Sequence, residues 1–127
     1  MVSRVEAAQA AARQALERTY TGNATVIERQ KVKNPVSKMV ESQDVPVIKN
    51  QPCKISYKSV TAAIREESAA STEQVVKLLI SPALSIKPGS KITVVQEGVT
   101  VAYTHSGVPA VYPTHQEIVL DLFKGWA

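Results

Sequence analysis

Few residues of this chain have types that do chemistry, and their spacing works against it. Cys53 is the sole cysteine, and the two histidines, His105 and His115, lie ten positions apart. A structural zinc site takes four ligands, mostly in close pairs, so these three make no metal centre. Cys53 with His115 has the residue types of a nucleophile and its base. Strand alternation, however, puts Cys53, Ile55 and Tyr57 on the buried side of Cys53-Lys54-Ile55-Ser56-Tyr57, where a thiol is an inert core group. His105 falls in a turn-rich stretch and His115 at a strand entry, and both are expected to be surface or capping residues. Glu66-Glu67 are adjacent, so their carboxylates do not converge on one substrate as a general acid and base must. Pro88-Gly89-Ser90-Lys91 lacks the upstream glycine and the following helix of a phosphate-binding loop. No catalytic residue, metal ligand or cofactor site is expected, and the chain is not expected to be an enzyme.

The elements that would hold any site are mostly strands. Lys91–Gln96 alternates, with Ile92, Val94 and Gln96 on one side. Glu97-Gly98 reverses the chain into Val99–Tyr103, and His115–Phe123 follows after a turn-rich connection. Upstream, residues 24–32 and Cys53–Val60 read as strands, Val45–Ile48 as an edge piece restricted by Pro46, and residues 74–80 as a covered strand. Asn34-Pro35 and Asn50-Gln51-Pro52 read as turns, and residues 36–44 as a loop or twisted edge hairpin. Ser3 can cap a helix running to about Tyr20, with Arg13 and Glu17 spaced for an i,i+4 pair. Its apolar face is Val5, Ala8, Ala12, Ala15 and Leu16. Such a face buries little area, so the helix suits covering one end of the sheet or approaching another subunit closely. The fourteen residues 61–74 contain no β-branched run and read as one long inter-strand loop, a length usually kept for function.

The expected fold is therefore mainly β: a small antiparallel β-barrel or sandwich of six to seven strands, with one N-terminal helix. A single domain spans residues 1–127, with the helix at 3–20, the strands within 24–123, the loop at 61–74 and a tail at 124–127. At 127 residues it needs neither metal nor disulfide to bury a core. Residues 1–60 carry ten Lys/Arg against five Asp/Glu, and residues 61–127 five against six. That bias suits an acidic protein surface or the vicinity of nucleic acid, without the dense patch of a sequence reader. The start, Met-Val-Ser-Arg, has no apolar core of signal-peptide length, and no run reaches the ~18 apolar residues of a membrane span. An unexported chain away from membranes is expected. The sole Phe apart from tyrosines, Phe123, and the sole Trp, Trp126, sit together near the C-terminus. Trp is frequent in binding hot spots. Ala8, Ala12, Leu16, Phe123 and Trp126 are thus the interface candidates.

The order of features resembles the small head–tail connector proteins of tailed phages and prophages, in the head-closure (stopper) and head–tail joining group. The resemblance runs through the N-terminal helix, Thr25–Glu28, Asn50–Tyr57, the long loop, Gln74–Leu78, Ile86–Val94, Tyr103–Tyr112 and His115–Leu120. Its most specific parts are Pro88-Gly89-Ser90 ahead of Ile92-Thr93-Val94, and the closing His115–Leu120. It implies a β-barrel subunit of a ring, of six or twelve copies, between a portal or adaptor and a tail terminator or other tail-side protein. Packaged DNA would pass through the channel. It further implies assembly in the bacterial cytoplasm and residence in the virion neck. In such proteins the long loop can point into the channel, which makes Ile64, Arg65, Glu66 and Glu67 the channel-loop candidates. One Arg against Glu66, Glu67 and Glu73 repels phosphate, so this loop would obstruct DNA or let it slide rather than grip it. The alternative is a small β-barrel module binding single-stranded nucleic acid, which would need Tyr57, Tyr103 and Tyr112 on an open sheet face.

Overall fold

The computed structural model describes residues 3–62 and 71–126. The elements are α1 (Arg4–Glu17), β1 (Gly22–Lys33), β2 (Val40–Ala62), β3 (Ser71–Ile80), β4 (Lys91–Gln96), β5 (Val99–His105), β6 (Ala110–Val111) and β7 (Gln116–Leu122). All seven strands join one sheet in the order β3-β2-β1-β4-β5-β7-β6, every pairing antiparallel. β3 also pairs with β7, from Val76↔Leu120 to Ile80↔Gln116, so six strands close on themselves, and the two-residue β6 pairs with Gln116 and Glu117 on the edge of β7 opposite β3.

Alternation fills the interior of this closed sheet. Each of the six ring strands turns at least two side chains inward: Ala24 and Val26, Cys53 and Ile55, Leu78 and Ile80, Ile92 and Val94, Tyr103 and His105, and Gln116, Ile118 and Leu120. Ile86, from the 81–90 connection, closes the packing. Burying a large aliphatic side chain is worth about 1.5–3 kcal/mol, so this ring of Val, Ile and Leu is the main source of stability. Glu97 and Gly98 both have positive φ, +51° and +78°, which is the mirror-image two-residue turn that matches strand twist. Gly22 lets β2 and β4 close tightly around the start of β1. A Cβ there would lie 3.1 Å from the Cys53 carbonyl oxygen and 3.2 Å from Gln96 Oε1.

β2 departs most from the sequence-based expectation. It is one strand of 23 residues, and the expected turn at Asn50-Gln51-Pro52 lies within it. Its register with β1 shifts twice, between Ala24 and Val26 and again between Val26 and Ile27, each time by one extra residue on β2. These are bulges, which bend and twist a strand without ending it. Asn50, at φ +48°, stands in the first of them. The expected loop at 61–74 is also shorter, because β2 and β3 stay paired as far as Ala62↔Ser71. Ile64, Arg65, Glu66 and Glu67 lie outside the described residues.

α1 is capped as expected, with Ser3 Oγ accepting from the Glu6 amide at 3.1 Å. Of the two roles expected for its apolar face, it does not take the first, covering one end of the sheet. No helical residue is buried, and the half-buried positions are Gln9, Arg13, Leu16 and Glu17, followed by Tyr20. Arg13 bonds Glu17 at 3.3 Å and donates to Ser81 Oγ. The helix therefore leans on the body through its polar side, and Val5, Ala8, Ala12 and Ala15 face solvent. Methyl groups bury too little area to outweigh a charged hydrogen bond.

Candidate assembly surfaces

β1 pairs with β4 only from Gly22 to Ile27, whereas its ladder with β2 continues to Lys33↔Val40. Residues 28–45 therefore form a two-stranded arm that leaves the closed sheet just past the two bulges. Cross-strand register divides its faces. Arg29, Lys31 and Lys33 stand opposite Asp44, Ser42 and Val40, and Glu28, Gln30 and Val32 stand opposite Val45, Gln43 and Glu41. At the tip, Asn34 Oδ1 accepts from the Val36 and Ser37 amides, at 2.8 and 3.2 Å, and the Asn34 amide bonds the Met39 carbonyl at 2.8 Å. This fixed turn displays Val36 at 92% exposure and Met39 at 66%, with Lys38 between them at φ +59°.

The base of the arm is tied to the body. Trp126 lies 5.9 Å from the Arg29 guanidinium and packs edge-on against Phe123 at 5.2 Å. Phe123 in turn lies under the Lys91 ammonium at 4.9 Å. Lys87 Nζ reaches Glu28 at 3.9 Å. The cleft between arm and body, about 420 Å³, is lined by Arg29, Lys31, Lys87, Ser90 and Trp126 among others. Phe123 and Trp126, both half-buried, thus dock on their own chain, while Ala8 and Ala12 are exposed and Leu16 is half-buried.

At the other end of β1 the closed sheet has a mouth. Past Gly22, β2 and β4 have no strand between them, and Gln96 Oε1 bridges the gap by accepting from the Ile55 amide at 2.8 Å. A cavity of about 210 Å³ opens there, lined by Ile55, Tyr57, Glu97, Val99, Val101 and Tyr103 among others. Tyr57 was expected to be buried with Cys53 and Ile55. It is 56% exposed, because it shares their face of β2 but stands beyond the closed part of the ring, with its hydroxyl 3.5 Å from that of Tyr103. Neither the arm nor the mouth was singled out from the sequence. The signal available was the run Val36, Met39, Val40 in an otherwise polar stretch.

The residues first considered for chemistry lie apart. Cys53 is fully buried, and burial pushes its thiol up to about 12. His115 sits beside Thr114 at 3.0 Å, near Glu117 at 3.5 Å, and stacks on Tyr112. His105 is not a surface residue but a buried one, and neither ring nitrogen has a partner. Among the described residues no three of His, Cys, Asp and Glu gather as metal ligands, and no helix is long and apolar enough to cross a membrane. Tyr103 is buried and Tyr112 is taken up by His115, so the three tyrosines form no open stacking platform.

No protein-family model matches the chain, and no curated protein matches it. Among solved structures it is similar to the phage-like element PBSX protein xkdH from Bacillus subtilis. The identity is 14% and the TM-score 0.49, over 83% of this chain and 96% of that one. A likeness at that level carries no argument about what either chain binds.

Proposed function

We propose that this chain is a structural, non-catalytic subunit of the neck of a tailed phage or prophage particle, forming a ring that closes the filled head and joins it to the tail. The observation that carries this is the unpartnered surface of a small closed sheet: an arm with an apolar tip, and a helix that turns its Ala stripe to solvent. An isolated domain gains nothing from either, whereas a subunit packed against neighbours buries both. The resemblance of the sequence to head-closure and head–tail joining proteins supplies the kind of assembly. Its neighbours would be a portal or adaptor on the head side and a tail-side protein below. In this reading the acidic residues Glu66 and Glu67 would repel the phosphates of DNA in the channel.

The test is electron cryomicroscopy of particles from cells carrying the gene. The expected result is a ring of six or twelve copies between the head vertex and the tail. Intact necks that lack this chain overturn the proposal.

A further inference from the structure

The arm and the mouth lie at opposite ends of β1, so the tip of one copy cannot fill the mouth of the same copy. β1 begins at the mouth, where Gly22 stands between Cys53 and Gln96, and runs out into the arm at Lys33. The two ends match in chemistry. The tip offers two well-exposed apolar side chains, Val36 and Met39, on a turn held by Asn34. The mouth offers a cavity of about 210 Å³ walled by Ile55, Val99, Val101 and two tyrosines. A buried cavity of about 150 Å³ accepts benzene, so this one has room for a methionine side chain. Sulfur beside aromatic rings is a favourable contact in addition.

Charge matches as well. The tip carries Lys38, with Lys33 close by, and the mouth carries Glu97. Lys38 and Glu97 both stand in left-handed backbone, at φ +59° and +51°. Gly, Asn or Asp are the residues that take this conformation with least strain. Long side chains of opposite charge thus occupy strained positions at the two ends of the molecule, where a strain-free residue was available.

We infer that the arm tip of one copy inserts into the mouth of a second copy, with Met39 between Tyr57, Val99 and Tyr103 and with Lys38 beside Glu97. The contact joins different surfaces on the two copies, and such contacts repeat into rings when the rotation closes. The bulges at the base of the arm set that rotation, because they fix the angle at which the arm leaves the sheet. The inference rests on the ring assembly proposed above and names the interface that builds it.

Two measurements on the purified full chain test it. Sedimentation of wild type and Met39→Asp across a wide concentration range reads self-association. Met39 is exposed, so the variant keeps the fold, which circular dichroism checks. The expected result is association weakened at least tenfold. Mixing Met39→Cys with Val99→Cys under mild oxidation reads the contact directly, with the native thiol Cys53 buried and unreactive. Disulfide-linked dimers are expected in the mixture well above the level in either variant alone. Association that is unchanged in Met39→Asp, with no excess of mixed disulfide, overturns the arm contact and leaves the ring standing. A wild-type chain that stays monomeric at millimolar concentration overturns both.

Discussion

His105 and Gln116 are two buried polar side chains with opposite energetics. Gln116 Nε2 donates to the carbonyls of Ser81 at 2.8 Å and Leu84 at 2.7 Å, and so stitches the connection after β3 onto β7. Gln116→Leu keeps the volume but strands those carbonyls, at an expected cost of about 2–3 kcal/mol in urea unfolding. His105 holds the inward position next to Tyr103 on β5, and its ring nitrogens bond nothing. Its backbone is well used, since its amide bonds Ser90 and its carbonyl accepts from Gly89. His105→Leu keeps those bonds and removes two unpartnered nitrogens, so urea unfolding is expected to show a gain of about 1 kcal/mol. The sequence placed His105 among turn residues because Ser106-Gly107 follows it directly. The alternation of Val101, Tyr103 and His105 was the better guide, since period-two burial continues to the last paired residue of a strand.

The short strands were legible because each one alternates cleanly and is bounded by turn residues. β4, β5 and β7 lie within a residue or two of their expected limits, and the Glu97-Gly98 turn is where its chemistry puts it. β2 was not legible as one strand. Asn50 and Pro52 are residues that mark turns, yet here they sit, along with the expected edge piece around Pro46, on the part of β2 flanked by β1 alone. An edge strand tolerates a missing N–H, and a bulge accepts a left-handed Asn. Which face of α1 rests on the body was not legible, because hydrophobic pattern says little where the apolar side chains are mostly alanines. Polar anchors such as Arg13 decide the packing instead. The C-terminal stretch, a candidate interface from composition, forms part of the arm's foundation. Trp126→Ala removes the ring stacked near Arg29 and is expected to cost about 0.5–1 kcal/mol. The sharper readout is local: amide exchange of Glu28–Lys31 is expected to quicken while that of β7 stays unchanged.

Across the whole molecule, fold class and strand number were legible, since a Val- and Ile-rich alternating chain with few helix signals has little choice but an antiparallel sheet. A barrel was one of the two expected arrangements, but the pair that closes the ring, β3 with β7, was not legible, because it joins segments 36 to 44 residues apart in sequence. The closed interior also sets how stability responds to alkali. Burial raises the Cys53 thiol from 9.0 to about 12, and burial followed by the Tyr57 hydroxyl raises Tyr103 from 10.0 to about 12. The unfolded chain therefore loses these protons first. The stability they contribute is whole below about pH 9 and is lost as pH climbs toward 12. In Cys53→Ala the decline is expected to begin nearer pH 10, where the tyrosine alone takes over, as followed by thermal melts through the alkaline range. β2 has a mechanical consequence as well. It runs unbroken from the arm to the end of its ladder with β3, with β1 beside its first part and β3 beside its second. Tension applied between those two ends travels along a single backbone. It loads both ladders in shear, so many hydrogen bonds must yield together instead of unzipping one by one.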